Sequence, residues 1–196
     1  STANADSARL YIETEIKNYS TRVSEGRVIQ RLIDDKGNEL ANVTSTAGQI
    51  PPGETRLISQ ILPTFLHPRL WSMEDPCLYT LETEWIAPDG ALDRVRTPYG
   101  IRTIQWTGTV FLLNRKPIFI NGVGEYEHKL GGSHAFSEEE VRARVREVRA
   151  AGFNAFRDAH QPHNLLYQHL FDSLGMLWWP QLSAHIWFDT PAFRKN

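Results

Sequence analysis

The first half of the chain, up to Trp106, alternates hydrophobic and polar residues with the two-residue period of β-strands. One predicted strand carries four alternate positions on a half-buried face: Leu10, Ile12, Thr14 and Ile16. A later strand does the same with a more aromatic set: Tyr79, Leu81, Thr83 and Trp85. Segments rich in glycine, proline and aspartate separate such strands and predict turns: 35–38, 51–53 and 87–90. About seven short strands in roughly a hundred residues predict an immunoglobulin-like β-sandwich.

After Trp106 the pattern changes to strands that alternate with helices. Ser137 and Glu140 have the spacing of a capping box, which predicts the start of a helix. Three valines then share one helical face: Val141, Val145 and Val148. A second helix is predicted from Asn164, which can cap it, to Gly175, which can end it. Short hydrophobic strands are predicted around these helices: 118–120, 153–157 and 176–179. This order is typical of a parallel α/β fold.

The length of the second half leaves two interpretations open. A closed (β/α)₈ barrel needs eight strands and about 250 residues. The 90 residues after Trp106 (196 minus 106) hold about three strand–helix units. The chain is then either part of a longer polypeptide that completes a barrel, or it ends in a smaller, open α/β domain.

Composition narrows the possible partners. The 21 basic and 23 acidic residues give a formal net charge of −2, which does not indicate a nucleic-acid partner. No apolar stretch reaches the ~20 residues that span a membrane. Cys77 is the only cysteine, so an intrachain disulfide and a cysteine-rich zinc site are both excluded. The first residues lack the pattern of a signal peptide. The compartment stays open between the cytoplasm and the periplasm or exterior.

Four segments, in this order, resemble motifs of family 2 glycoside hydrolases: LWSMEDPCLYTL at 70–81, YGIRTI at 99–104, FLLNRKPIFINGV at 111–123 and GFNAFRDAH at 152–160. In that family the first two lie late in an immunoglobulin-like domain, and the others lie on the first two strands of a catalytic TIM barrel. The resemblance therefore implies two domains, a sandwich over 1–106 and the N-terminal portion of the barrel over 107–196. It also implies that the chain is part of a longer one.

The resemblance further implies a retaining hydrolase of terminal β-glycosides, most readily β-galactosides, that uses no cofactor or metal and assembles as a homo-oligomer. Such a mechanism needs two carboxyl groups about 5–5.5 Å apart. The family supplies them as glutamates after the fourth and seventh barrel strands, and neither has a counterpart here. We therefore expect this polypeptide alone to be inactive. Arg157 corresponds to the arginine that orients a catalytic glutamate, and His160 to the histidine that binds a sugar hydroxyl.

Two departures from the family pattern bear on the sugar. After the first barrel strand this chain has Tyr126, Glu127 and His128, where tyrosine replaces a histidine of the β-galactosidases. The family's "SHYP" motif is replaced by AHQP at 159–162 in this chain. An aromatic group follows the third strand and could form a wall for sugar stacking or bury itself in the protein: His185, Trp187 and Phe188. The predicted substrate-binding residues are Tyr126, Glu127, His128, Arg157, His160 and Trp187.

Other interpretations are weaker. Glu127 and Asp158 could form a catalytic pair, but the family motif assigns that role elsewhere. Three histidines could be metal ligands, although no cysteine or carboxylate completes a known spacing: His160, His163 and His169. Arg157 could be only an ion-pair partner. For the whole chain, the alternatives are a non-catalytic carbohydrate-binding module and a structural spacer built on the sandwich.

Overall fold

The computed structural model describes residues 2–128, 136–181 and 190–191 of the 196-residue chain. Contacts divide the chain into two compact units. The first comprises Ser1–Ser72 and Cys77–Pro117, and the second comprises Met73–Pro76 and Ile118–Asn196. The short segment Met73–Pro76 thus belongs to the second unit, although it lies within the first along the sequence. No helix in the described ranges has both the length and the hydrophobicity to cross a bilayer.

The first unit is built of strands. In chain order they are β1 (Thr2–Ala3), β2 (Ser7–Arg9), β3 (Tyr11–Lys17), β4 (Arg27–Ile33), β5 (Glu39–Thr46), β6 (Thr55–Ile61), β7 (Phe65–Leu66), β8 (Tyr79–Ile86), β9 (Leu92–Tyr99), β10 (Ile104–Thr107), β11 (Val110–Leu113) and β12 (Lys116–Ile118). Four of them form the largest sheet, in the order β5-β4-β8-β9, with all pairs antiparallel. Smaller sheets are β3-β6, β1-β2-β7 and β10-β11-β12.

The core of this unit follows from alternation along the strands. On β4, the buried side chains Val28, Gln30 and Leu32 alternate with partly exposed neighbours. Leu32 joins a buried cluster that includes Leu10 and Leu62, which closes the sandwich between its sheets. The predicted β-sandwich is therefore confirmed.

The outer face of the largest sheet contains a buried charged network that the hydrophobic pattern did not predict. Glu82 and Glu84 on β8 are nearly inaccessible to solvent. Arg31 pairs with both carboxylates, Arg96 donates to Glu82 at 2.7 Å, and Arg94 donates to Glu84 at 2.7 Å. The hydrogen bond from Arg96 is the main cause that lowers the pKa of Glu82, and the one from Arg31 does the same for Glu84. Both carboxylates are thus held ionised.

The second unit alternates strands and helices: β13 (Gly122–Glu125), α1 (Glu138–Ala150), β14 (Ala155–Asp158), α2 (Leu166–Leu174) and β15 (Leu177–Trp179). The three strands pair in parallel with β14 in the middle. The capping box of Ser137 and Glu140 is present at the start of α1. Apolar faces of both helices pack on the sheet through a cluster that includes Val141, Val145 and Phe156. The predicted parallel α/β arrangement at the start of a barrel is confirmed.

The start of α2 differs from the prediction. Its N-cap is Leu165, which makes no side-chain cap, whereas Asn164 accepts a hydrogen bond from the backbone N–H of Leu166 at 2.9 Å. The helix therefore begins one residue later than a cap at Asn164 implies. Because Asn164 still satisfies one of the first helical N–H groups, its chemical role is close to the predicted one.

Each helix of this unit is followed by a glycine in the left-handed region, which favours a residue without Cβ. Gly152 has φ 89° and open space where a Cβ would lie. Gly175 has φ 73°, but a Cβ there would overlap the carbonyl oxygen of Met73 and lie 2.9 Å from its carbonyl carbon. The same oxygen accepts a hydrogen bond from Arg149 Nη2 at 2.7 Å. The carbonyl of Met73 is thus held at the ends of both helices.

Candidate functional site

The carboxyl ends of the three parallel strands define one edge of the second unit, since parallel strands all end on the same side of a sheet. There β13 ends at Glu125, β14 at Asp158 and β15 at Trp179. Five of the six predicted binding residues lie at this edge or just after it along the chain. Trp187, with His185 and Phe188, lies outside the described residues.

Alternation along β14 separates its side chains into two environments. Phe156 and Asp158 are buried on the face that packs against the helices, whereas Arg157 is exposed on the opposite face. The register places Arg157 between Gly124 on β13 and Trp179 on β15. Gly124 leaves open space beside the guanidinium, and the indole of Trp179 is 71% exposed. Arg157 therefore lies on an accessible face at the end of the central strand.

Arg157, His160 and Gln181 form a polar cluster on this face. Arg157 Nη2 donates to Gln181 Oε1 at 3.0 Å and lies 3.2 Å from His160 Nδ1. Nδ1 is also 3.3 Å from Gln181 Oε1, and the tautomer of the imidazole decides which of its two contacts is a hydrogen bond. Arg157 makes no ion pair with a carboxylate within the described ranges. Its remaining N–H donors can therefore bind an anion or a hydroxyl group.

Tyr126 and His128 extend this cluster from the loop after β13. The ring of Tyr126 stacks on His128, with centroids 5.4 Å apart and planes 6° apart. The same ring meets His160 edge-on, with a centroid separation of 5.1 Å. Since Tyr126 is half exposed, one edge of an aromatic group remains open to solvent beside His160. The structure thus brings together four of the predicted residues.

Glu127 has a structural contact. Its Oε1 accepts a hydrogen bond from the backbone N–H of Asn164 at 3.3 Å, which ties the loop after β13 to the loop after β14. Arg144 on α1 supports the first of these loops from behind, because its guanidinium pairs with Glu125 and lies 3.4 Å from the carbonyl oxygen of His128. Both loops that contain predicted site residues are therefore fixed by charged side chains.

Asp158 lies on the opposite face of the sheet from Arg157, away from the predicted substrate site. Its carboxylate is completely buried towards the helices, where it accepts from Trp178 Nε1 at 2.8 Å and from the backbone N–H of His163 at 3.3 Å. Asp158 and Glu127 thus each serve as acceptors of structural hydrogen bonds. Within the described residues, no three histidine, cysteine or acidic side chains lie close enough to hold a metal ion.

His163 occupies an aromatic pocket behind the strand ends. Its side chain is almost completely buried, its ring packs against Phe156 and Tyr167, and its Nδ1 lies 3.5 Å from Asp158 Oδ1. Burial is the main cause that lowers the pKa of His163, and it raises the pKa of Tyr167 to about 12. Both side chains are therefore neutral near pH 7.

Two residues of this site were not predicted. Trp179 lies within the strand predicted over 176–179, but its place beside Arg157 was not predicted; its neighbour Trp178 packs against the hydrophobic core. Gln181 was not singled out at all. The signal that identifies both is the pairing of β15 beside β14, which sets Trp179 next to Arg157. Sequence alone does not give that register.

Two family models cover most of the chain. The model "Glycosyl hydrolases family 2" matches residues 1–102, and "Glycosyl hydrolases family 2, TIM barrel domain" matches residues 104–179. The first match alone covers more than half of the sequence. Both matches follow the order of the sandwich and the parallel α/β unit in the structure.

Curated relatives of this chain include β-galactosidases and a β-glucuronidase. A β-galactosidase of Enterobacter cloacae is 27% identical over 177 residues, which are 88% of this chain and 17% of that protein. The β-galactosidase BoGH2A of Bacteroides ovatus is 30% identical over 179 residues, 90% of this chain and 21% of that protein. A β-glucuronidase of Streptococcus agalactiae is 31% identical over 108 residues, 55% of this chain and 18% of that protein. The chain thus spans about a fifth of the length of these relatives.

Solved structures agree with this assignment. A crystal structure of a Bacteroides uniformis β-glucuronidase superposes with a TM-score of 0.87 at 26% identity, covering all of this chain and 24% of that one. A glycosyl hydrolase family 2 member from Bacteroides cellulosilyticus gives a TM-score of 0.84 at 26% identity, over 92% of this chain and 23% of that one. The sequence motifs, the fold and these matches agree: the chain belongs to family 2 of the glycosyl hydrolases and comprises a β-sandwich followed by the first strands and helices of the TIM barrel.

Proposed function

We propose that the strand ends of the second unit form part of the sugar-binding site of a retaining β-glycosidase that cleaves terminal β-glycosides, with β-galactosides as its substrates. The observation that carries this proposal is the exposed cluster of Arg157, His160 and Gln181 at the carboxyl end of β14. That end is where the active sites of TIM barrels lie.

Each side chain of the cluster suits a separate task. The guanidinium of Arg157 is fixed by Gln181 and has donors to spare, so it can orient a catalytic carboxylate and favour its ionised form. His160 can exchange a hydrogen bond with a sugar hydroxyl through the ring nitrogen that Arg157 does not contact. The exposed rings of Tyr126 and Trp179 provide apolar faces of the kind that stack on sugar C–H groups.

The activities named for the relatives suggest two candidate sugars for the substrate. β-Galactosides are the first candidate, because the relatives from Enterobacter cloacae and Bacteroides ovatus, which match 88% and 90% of this chain, are β-galactosidases. β-Glucuronides are the second, because the whole chain superposes on a β-glucuronidase. Tyr126 stands where the β-galactosidase pattern has a histidine, so this position does not support a strict β-galactosidase specificity.

We further propose that these 196 residues alone hydrolyse no glycoside. A retaining mechanism needs a nucleophile and an acid/base about 5–5.5 Å apart. Among the described carboxylates at the strand ends, Glu125 pairs with Arg144, Glu127 accepts from Asn164, and Asp158 is buried. Each of these has a structural partner, which supports a role for this region in binding and orientation.

The first experiment is to measure the intact mass of the protein as its source makes it, together with its hydrolysis of nitrophenyl β-galactoside, β-glucuronide and β-mannoside. A mass several times 22.4 kDa with turnover of one substrate supports the proposal and identifies the sugar. A mass equal to this chain with no turnover contradicts it and favours a binding or structural module.

A pair of substitutions in that same protein tests the role of Arg157. Arg157→Lys keeps the charge but loses the planar fork of donors, so we expect kcat/KM for the hydrolysed glycoside to fall by roughly a hundredfold or more. Arg142→Lys is the matched control, because Arg142 is a partly exposed arginine on α1 that pairs only with Glu138 among the described residues. Equal activity of the two variants would contradict the role of Arg157.

A further inference from the structure

We propose that Asp158 is the residue that positions His160, and that it does so by closing the loop after β14 with its buried carboxylate. The proposal rests on the function proposed above, in which His160 binds a sugar hydroxyl. Asp158 itself does not reach the exposed face, so it acts through the loop and not on the substrate.

The first step of the argument is the geometry of the loop. Asp158 ends β14, and His163 lies five residues later. The carboxylate of Asp158 accepts from the backbone N–H of His163 at 3.3 Å, which joins the two ends of the loop. Ala159 N donates to the carbonyl oxygen of Glu125 at 2.9 Å, and Asn164 N donates to Glu127 at 3.3 Å. His160 is therefore a partly exposed residue of a loop that is fixed on both sides.

The second step is the anchor of the carboxylate. Trp178 Nε1 donates to Asp158 Oδ1 at 2.8 Å, and Trp178 lies on β15, the neighbouring strand. The indole thus fixes the carboxylate relative to the sheet, and the carboxylate fixes the loop relative to the indole. The same strand leads to Gln181, which contacts both Arg157 and His160 on the exposed face. The loop of His160 is therefore linked to β15 by two sets of contacts: a buried one through Trp178 and Asp158, and one on the exposed face through Gln181.

The third step is energetic. A buried carboxylate costs free energy unless its oxygens have hydrogen-bond donors. The imidazole of His163, which lies 3.5 Å from the carboxylate, packs against the rings of Phe156 and Tyr167, so the neighbourhood of Asp158 is largely apolar. The imidazole of His163 beside it is neutral near pH 7 because burial lowers its pKa, so it supplies no full positive charge. A buried carboxyl group held by two N–H groups is suited to fixing a geometry more than to adding stability.

The test is a double-mutant cycle in the protein as its source makes it, with the nitrophenyl glycoside that it hydrolyses. In Asp158→Asn, one of the two acceptor oxygens becomes a donor, so the closing hydrogen bond to His163 N or the one from Trp178 is lost. We expect KM to rise about tenfold with kcat within about twofold, which is the pattern of a lost binding interaction. His160→Ala should raise KM by at least as much, and the double variant should be no worse than His160→Ala alone.

Glu84→Gln is the matched control, since it neutralises an equally buried carboxylate in the first unit. It should leave KM unchanged. Additive effects of Asp158→Asn and His160→Ala, or an unchanged KM in a folded Asp158→Asn protein, would overturn the proposal. If Asp158→Asn does not fold, Trp178→Phe removes the Nε1 donor to the carboxylate and keeps an aromatic ring against the core. It should give the same KM pattern in milder form, and an unchanged KM there overturns the proposal as well.

A spectroscopic readout separates failure of this inference from failure of the proposed function. The imidazole resonances of His160 should shift in Asp158→Asn and stay in place in Glu84→Gln. If no glycoside is hydrolysed or bound, the proposed function is wrong, yet this shift still tests the positioning. Unshifted His160 resonances in Asp158→Asn would overturn the inference even if the enzyme is an active β-glycosidase.

Discussion

Replacement of Gly175 by alanine should destabilise the second unit more than the same replacement at Gly152. Both glycines follow a helix and have positive φ, so alanine costs about 1–2 kcal/mol at either position from backbone strain alone. Both replacements also reduce the freedom of the unfolded chain, which offsets about 0.4–1 kcal/mol in each case. These two contributions cancel when the variants are compared.

The difference between the two sites lies in the space that a Cβ would occupy. At Gly152 nothing lies within 4 Å, whereas at Gly175 the new atom would overlap the carbonyl oxygen of Met73. The obstacle is backbone and not the end of a flexible side chain, so relieving the overlap should cost about 1–3 kcal/mol. Moving that oxygen would also weaken its hydrogen bond from Arg149, so the end of α1 should be affected too.

Hydrogen exchange followed by mass spectrometry measures this locally, in the protein as its source makes it. Peptides over 166–177 should exchange roughly 5 to 160 times faster in Gly175→Ala than in Gly152→Ala, the factor that corresponds to about 1–3 kcal/mol. Peptides at the end of α1 should exchange faster than in the wild type in both variants. Equal protection of 166–177 in the two variants would refute the reasoning, because it would mean that the carbonyl of Met73 does not constrain this glycine.

Three further predictions concern the first unit. The pKa of Glu84 in the folded protein lies below its usual 4.5, so its stabilisation is complete above that pH and is lost as the pH falls through the folded value; Glu84→Gln should make the acid-induced loss of stability shallower in melts between pH 7 and 2, and an unchanged slope would contradict this. Gly26→Ala should lower the free energy of unfolding by about 1–3 kcal/mol, since its Cβ would lie 2.6 Å from the carbonyl oxygen of Ile86. An unchanged midpoint of urea unfolding would contradict this, because it would mean that the backbone of Ile86 leaves room for a Cβ. Tyr79→Phe should cost about 1–2 kcal/mol, because the hydroxyl accepts from Arg69 N at 2.8 Å and donates to Arg69 O at 3.3 Å; a loss below about 0.5 kcal/mol in the same urea assay would refute that estimate.

The parts of the fold that sequence predicts are those determined by neighbours in the chain. The capping box of Ser137 and Glu140 requires only a spacing of three residues, and it is present as predicted. The apolar stripe of Val141 and Val145 likewise follows from the helical period. Asn164 shows the limit of such rules, because its hydrogen bond is present but the helix begins one residue later.

The parts that sequence does not predict depend on pairing between distant strands. Glu84 alternates with the apolar positions of β8, a pattern that by itself indicates a solvated face, yet Arg31 from β4 and Arg94 from β9 bury it. Nothing local signals that three strands bring these groups together. Gln181 was missed for the same reason, since its contact with Arg157 exists only because β15 pairs beside β14. Arg157, His160 and Tyr126 were predicted through the family motif, whereas Gln181, which contacts the first two, was not.

The place of Met73 in the second unit has a consequence for the order of synthesis. The partner of its carbonyl oxygen, Arg149, is 76 residues further along the chain. A ribosome that adds about 5–20 residues per second makes that arginine roughly 4 to 15 seconds later. The strands around Met73–Pro76 can pair during this delay, but the carbonyl of Met73 gains its hydrogen bond from Arg149 only after α1 has emerged. Until then the segment lacks this link to the second unit, at the stage when a chaperone or a protease has its best access to the nascent chain.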